Sequence, residues 1–365
     1  MVDSIGRRKN DHIRICSEKE VEAKTITPGF ENVYLIHRCI PEIDFEKIDL
    51  SVKFLGFNFK APIMISAMTG GTAEATKINA NLAKAAGELG IGMCLGSGRV
   101  CLKNPSSIQS FKIARENAEK AFISANIGFQ ELLTHSYGEL KKLVEILDAN
   151  ALTVHLNPLH ELLQHEGSGI FKGILNRLRE LKLNLECPLI VKEVGSGICR
   201  EDAKLLASTG IDALETSGAG GTSWAGVEYY RNIEAGEEEK AELSKTFWDW
   251  GIPTAISILE VKSVVKLPLV ASGGIRSGLD VAKALVLGAD LAGLALPLLK
   301  PAIESWESVL KVLRRIREEL KLAMVLTGSE TIEELKSRPY VLTGLVRDWA
   351  VFRKLKIRCE EWQTS

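Results

Sequence analysis

The sequence lacks several features that would mark a class. Seven cysteines (16, 39, 94, 101, 187, 199 and 359) are scattered with no CxxC spacing, which argues against a zinc site and against a secreted disulfide framework. Net charge is nearly absent: 46 Lys and Arg against 47 Asp and Glu leave −1. No polyanion-binding surface follows and a nucleic-acid role finds no support, although a local basic cluster can still hold a small phosphate. There is no long apolar run. The longest nearly uncharged tract, 284–299, contains Asp290 and is too short to span a bilayer. The start, MVDSIGRRKNDHIRIC, is charged and has no apolar core, so it does not read as a secretory signal. No linker or internal repeat divides the chain. The expectation is a soluble cytoplasmic protein of one domain, with no membrane contact.

What is present is a regular alternation. Of 365 residues 45% are hydrophobic, ample for a sizeable core. Short apolar runs occupy 62–66, 91–95, 121–126, 151–156, 188–194, 211–216, 268–272 and 291–296. Amphipathic stretches such as 74–89, 131–147, 170–183 and 200–208 lie between them. Strand–helix alternation predicts parallel strands with covering helices. Eight units with no ninth favour an α/β fold of the (β/α)8 TIM-barrel type. The expected division is an N-terminal extension (1–60), a barrel (61–323, closed by a long helix at 301–323) and C-terminal helices (324–365). Within the extension, FLGFNF at 54–59 alternates as a hairpin or barrel plug does. One connection, 217–266, is much longer than its neighbours and carries a charged run at 234–245. A partly mobile lid is expected there.

In such barrels the chemistry sits at the C-terminal ends of the strands. Those ends are rich here in glycine, hydroxyl and amide groups. The stretch PLVASGGIRSGLDVAKALVLGADLAGLALPLL opens with a strand and places Gly273 and Gly274 before a helix. Glycine lets backbone N–H groups approach an anion, and a helix N-terminus favours negative charge. A phosphate cradle at the last two strand–helix turns is expected. Lys192 ends an apolar strand, LIVKEV, where an inward cation is costly unless paired. It can stabilise negative charge on an electron-rich ring, pair with a carboxylate such as Glu193, or form a Schiff base. After the fourth strand, HLNPLHELLQHEG gathers three of the six histidines. His155 and Asn157 share a strand face. His155, His160 and Glu161 are conceivable zinc ligands. A single carboxylate beside a phosphate more often carries magnesium, which favours Glu161 for that ion. Arg8, Lys9 and His12 are either a solvated terminus or a clamp that closes on a diphosphate with Arg99.

Taken in order, RKNDHI, SAMTGG, GSGRV, SANIG, HLNPLHE, VKEVGSGI, ETSGAGGTSWAGVEYYR and ASGGIRSGLDVAKALVLGADLAGLALPLL resemble the type 2 isopentenyl diphosphate isomerases over about residues 7–345. The resemblance implies an FMN-dependent barrel enzyme that interconverts isopentenyl and dimethylallyl diphosphate. It implies reduced FMN as the active form, NAD(P)H as reductant, Mg2+, and a tetramer or octamer. By position, it implies FMN contacts from Ser66, Ala67, Met68, Thr69, Ser97, Asn126, Lys192, Ser217 and Thr222. The FMN phosphate would fall to Gly273, Gly274, Arg276, Ala295 and Leu296. Substrate contacts would come from Arg8, Lys9, His12, Ser97, Arg99, His155, Asn157 and His160, with His155, His160 and Lys192 in catalytic roles and Glu161 on the metal. The family pattern reads HLNxxQE, and His160 stands where glutamine is expected. A ring replaces an amide there and can gain charge near neutrality, so impaired turnover is expected. Two other readings are an FMN-dependent oxidoreductase on the same barrel and a non-catalytic flavin- and diphosphate-binding protein. Hydroxyacid oxidases look to carry a histidine in the turn after the seventh strand, and SGGIRSG has none.

Overall fold

A computed structural model describes residues 2–355; Cys359 and the end of the expected C-terminal helical segment lie outside the described residues. Eight strands close on themselves: β1 (Ile63–Ile65), β2 (Gly92–Cys94), β3 (Ile123–Gly128), β4 (Ala151–His155), β5 (Leu189–Lys192), β6 (Ala213–Glu215), β7 (Leu269–Ser272) and β8 (Leu291–Leu294). All pairs are parallel, and Ala292 of β8 pairs with Ile63 of β1 to close the ring. Every barrel residue of these strands is buried except the half-buried His155. The continuous apolar runs follow from cover on both faces. Among the described residues no helix is long and apolar enough to cross a membrane.

The hairpin in the extension is a plug. Val52–Phe54 and Phe57–Phe59 pair antiparallel. Phe54 and Phe59 pack with Phe122 and with Met64, Cys94, Ala151, Ile190, Ala213, Val270 and Leu291, side chains from seven of the eight strands. The ring of Phe54 stands edge-on to Phe59 and Phe122, at 6.1 and 6.2 Å.

Other elements differ from the sequence expectations, each for a local reason. Strand β5 is shorter than 188–194, because the Glu193 carboxylate accepts the N–H groups of Val194, Gly195 and Ser196 and turns the chain out of the barrel. The stretch 131–147 is two helices, Phe129–Thr134 and Tyr137–Ile146, the second begun by a reciprocal cap between Ser136 and Glu139. The long helix expected at 301–323 is interrupted likewise. Leu296–Glu304 ends at Ser305, whose hydroxyl caps Trp306–Thr327. Beyond it, Ile332–Ser337 and Gly344–Phe352 are helical, but Tyr340–Leu342 between them is a strand paired antiparallel with Val33–Leu35. Pro339 bars a continuous helix there.

The helices that carry site residues are α1 (Val2–Glu18), α2 (Pro158–Leu163), α3 (Trp224–Ala235) and α4 (Glu238–Thr246). The last two lie in the connection 217–266, where a lid is expected, and give its charged run helical structure on either side of Gly236 and Glu237. Ser223 caps α3, Gly236 ends it at φ 75°, and Glu238 and Glu239 begin α4. Asn232 of α3 donates to Ser244 of α4 at 3.2 Å.

Phe54→Ala should lower unfolding free energy by about 3–5 kcal/mol, as for other buried Phe truncations. Urea denaturation measures it, and a loss below about 1 kcal/mol contradicts the plug's role.

Candidate active site

A cavity of about 220 Å³ opens at the C-terminal end of the barrel. Every site residue named from the sequence lines it, from Arg8 to Leu296. Topology brings them together: each strand delivers its last residues to one end, and α1 lies over that end.

The floor is a network around Glu215, the last residue of β6, which has no exposed surface. Its Oε1 accepts from Ser66 Oγ (2.8 Å) and Ser272 Oγ (2.7 Å), with Lys192 Nζ 3.5 Å away. Lys192 donates to Ser217 Oγ at 2.8 Å and to the Glu193 carbonyl at 2.6 Å. Among the alternatives for Lys192, pairing with the Glu193 carboxylate is therefore corrected. That carboxylate is occupied by three backbone N–H groups, and the neighbouring strand supplies Glu215 through the register Lys192–Glu215. His155 donates Nδ1–H to Asn126 Oδ1 at 2.7 Å, leaving Nε2 as an acceptor. Burial, with Lys192 nearby, pushes its pKa down to about 3, so it is neutral near pH 7. Ala67, Met68 and Thr69 form the adjoining wall.

The glycine turn follows Ser272 directly and also lines the cavity. Gly273 and Gly274 have φ of 103° and 72°. A Cβ at Gly273 would lie 2.2 Å from the Gly218 carbonyl oxygen, so this backbone admits no side chain. The helix Leu296–Glu304 starts beside it, at Ala295. Arg276 reaches the rim, but its guanidinium is bound to Glu22 rather than free. Thr222 also bridges to Glu22, through backbone pairing.

The roof is basic. Arg8 donates to Gln164 Oε1 at 2.8 Å. Lys9 is buried, donates to the Ser97 carbonyl at 2.8 Å and stands 5.2 Å from the Phe111 ring. Burial, and next the Arg8 charge, lower its pKa to about 7. Arg99 pairs with Glu131 at 3.0 Å. On α2, buried Glu161 has long contacts only, to the Ser168 N–H (3.2 Å) and Asn157 Nδ2 (3.4 Å). His160 stacks on Trp224, with centroids 4.4 Å apart and planes at 30°. His160 and His12 each place Nε2 3.0 Å from the same oxygen, Oε1 of Glu228. Burial works to raise the Glu228 carboxyl, but the hydrogen bonds from His12 and His160 outweigh it and hold the group well below the usual carboxylate range.

Known proteins share this arrangement to different depths. The family model of FMN-dependent dehydrogenases matches residues 3–103 and 168–342. An isopentenyl-diphosphate delta-isomerase of Methanosarcina barkeri is 44% identical over 98% of both chains. One from Thermococcus kodakarensis is 47% identical over 94% of this chain and 92% of its own. The chain belongs to this isomerase family. Among solved structures, a lactate oxidase of Pediococcus acidilactici shares 16% identity over 94% of each chain with a TM-score of 0.65. A flavocytochrome b2 shares 18% over 100% of this chain and 93% of its own with a TM-score of 0.67. At those identities they show the fold alone.

For this member of the isomerase family, sequence reading missed Glu131, Glu215, Glu228, Arg231 and Trp224. Glu215 carried a usable signal, a charge at the end of an apolar strand, as Lys192 did. Glu228 and Arg231 lie in a segment whose glycine and charge content reads as loop, which masks their helical spacing.

Because Lys9 sits near pH 7 in the free site, an arriving anion raises its pKa and binding takes up a proton. The affinity for inorganic diphosphate should fall as pH rises from 7 to 9, by up to about tenfold per unit for one proton. Calorimetry should show a fall in the parent steeper by this one proton than in Lys9→Arg, where the ligand's own titration remains. Equal slopes would exclude Lys9.

Proposed function

We propose that this chain interconverts isopentenyl and dimethylallyl diphosphate, using reduced FMN, NAD(P)H as reductant and Mg2+, as a cytoplasmic homo-oligomer. The observation that carries the reading is a single cavity lined both by the glycine turn at Gly273 and Gly274 and by the basic group Arg8, Lys9 and Arg99, which we read as two ends for anions. Two phosphate-bearing molecules bound together need two such ends.

The residues fit FMN. Hydroxyls of Ser66, Ser217 and Ser272 and the ammonium of Lys192 line one floor and suit the polar edge of a flat ring, beside Ser97, Asn126, Thr222 and the 67–69 wall. Gly273, Gly274, Ala295 and Leu296 suit its phosphate; Arg276 would join after exchanging Glu22. Bound there, reduced flavin supplies proton-transfer chemistry at the alkene. The chain's own residues do the rest. Arg8, Lys9, Arg99, His12, Ser97 and Asn157 would hold the diphosphate. Glu161, weakly engaged and oxygen-donating, fits Mg2+ that is otherwise coordinated by substrate phosphates and water. Neutral His155 offers an acceptor, Lys192 holds positive charge against the ring, and His160 orients the alkene end against Trp224. Oligomerisation has support in the apolar side chains exposed around the terminal strands: Tyr34, Ile40, Val341, Leu345 and Phe352 (87% exposed).

The oxidase-like fold neighbours raise the redox reading, but the turn after β7 holds Arg276 and no histidine base. Incubation with isopentenyl diphosphate, reduced FMN and Mg2+ should yield dimethylallyl diphosphate and lose it when either cofactor is omitted. Flavin and diphosphate binding without product, even after glutamine is restored at 160, would favour a non-catalytic binder.

His160→Gln should raise kcat by up to about 10²-fold, the low end of what a positioned proton-handling group contributes. Equal rates at saturating Mg2+ would remove position 160 from the chemistry.

A further inference from the structure

Three side chains of the roof converge on one point from three helices. His12 comes from α1, His160 from α2 and Glu228 from α3. One donor atom from each lies within 4.8 Å of the others. Both imidazoles bring Nε2 to 3.0 Å from Oε1 of Glu228. That oxygen is aimed, because Oε2 of the same carboxylate accepts from Arg231 at 2.6 Å. The Arg231 charge is shared with Glu166, 3.5 Å away. Trp224 fixes both rings, stacked on His160 and edge-on to His12 at 5.1 Å.

Two imidazoles and a carboxylate are the protein donors of three-ligand zinc sites. Around a tetrahedral ion with bonds of about 2.0–2.1 Å, neighbouring donors stand about 3.3 Å apart. The two nitrogen–oxygen separations of 3.0 Å are within a few tenths of that, and the three donor atoms lie within 4.8 Å of one another, so the two rings must close on the ion. To bind the ion each ring places its proton on Nδ1, and at His160 this nitrogen faces Asn157 Nδ2 at 3.4 Å, so the Asn157 amide must turn its oxygen toward it. The nitrogen content suits a borderline transition-metal ion and not Mg2+, which takes oxygen donors. His12 and His160 also line the cavity, so a fourth coordination position faces it.

We propose that His12, His160 and Glu228 form a binding site for a divalent transition-metal ion of the zinc class, distinct from the magnesium position assigned to Glu161. The site does not depend on flavin or substrate. A filled site clamps α1 onto α2 and α3 and fixes the roof over the cavity. It also engages His160, so the ion and the free imidazole exclude one another.

The test is titration of the full-chain protein, stripped with chelator, with Co2+, read by the visible ligand-field bands of four-coordinate cobalt. One equivalent per chain should bind, Zn2+ should displace it, and excess Mg2+ should not. Zn2+ should also raise Tm in the parent. His12→Gln and His160→Gln should each abolish the bands, since loss of a direct ligand exceeds the roughly 10–100-fold penalty of losing a supporting residue. Glu161→Gln should keep them. The proposal is overturned if no bands appear, if they persist in both histidine variants, or if Glu161→Gln removes them. Circular dichroism checks that each variant is folded, and if one is not, the other decides.

Discussion

The carboxylate of Glu215 is the constraint around which the site is assembled. A buried charge is strongly unfavourable unless it is paired and hydrogen-bonded. Only one of its oxygens is engaged, since Oε2 is buried without a partner among the described residues, and Oε1 is satisfied only if β1, β5 and β7 end at the right height around β6. Ser66 and Ser272 must point inward, and Lys192 must stand directly in register with Glu215 on the neighbouring strand. Four strand ends are thereby fixed by one group. The next strand follows, because His155 pairs in register with Lys192 and is oriented by Asn126 of β3. The geometry of the floor is thus a consequence of burying one acid in a barrel.

Above this floor, charge is sorted rather than accumulated. The chain is close to neutral, yet Arg8, Lys9 and Arg99 meet at one cavity. Their partners there are mostly neutral or shared: a glutamine amide, a carbonyl and one buried glutamate. Burial then does to Lys9 what burial does to any cation, and lowers its affinity for protons until an anion arrives. A composition that excludes polyanion binding is compatible with a strong local preference for a small one.

The barrel was legible because buried parallel strands are continuous apolar runs, and eight of them leave few alternatives. The positions of Lys192, His155 and the two glycines followed from reading strand ends. The residues proposed for FMN and diphosphate needed the ordered motif set. What stayed hidden depended on contacts across long separations or on single caps. Ser136 and Ser305 split helices that periodicity alone joins. Glu228 faces His12 and His160 only because α3 forms in a stretch whose glycine and charge content read as loop. The ladder of Val33–Leu35 with Tyr340–Leu342 has three residues a side, too few to signal itself.

That ladder bears on the order in which the molecule is made. Val33 pairs with Leu342, near opposite ends of the chain, and the Asn32 carbonyl accepts the N–H of Thr343. The arm between α1 and the barrel is also tied by Ala23 to Gly221 and by the Pro28 carbonyl to the Ala255 N–H. On a ribosome these partners emerge in sequence, long after the arm itself. Closing so long a loop gains nothing until its far end exists. The arm is among the first segments encoded, yet its last fastenings, to Leu342 and Thr343, wait for nearly the whole chain.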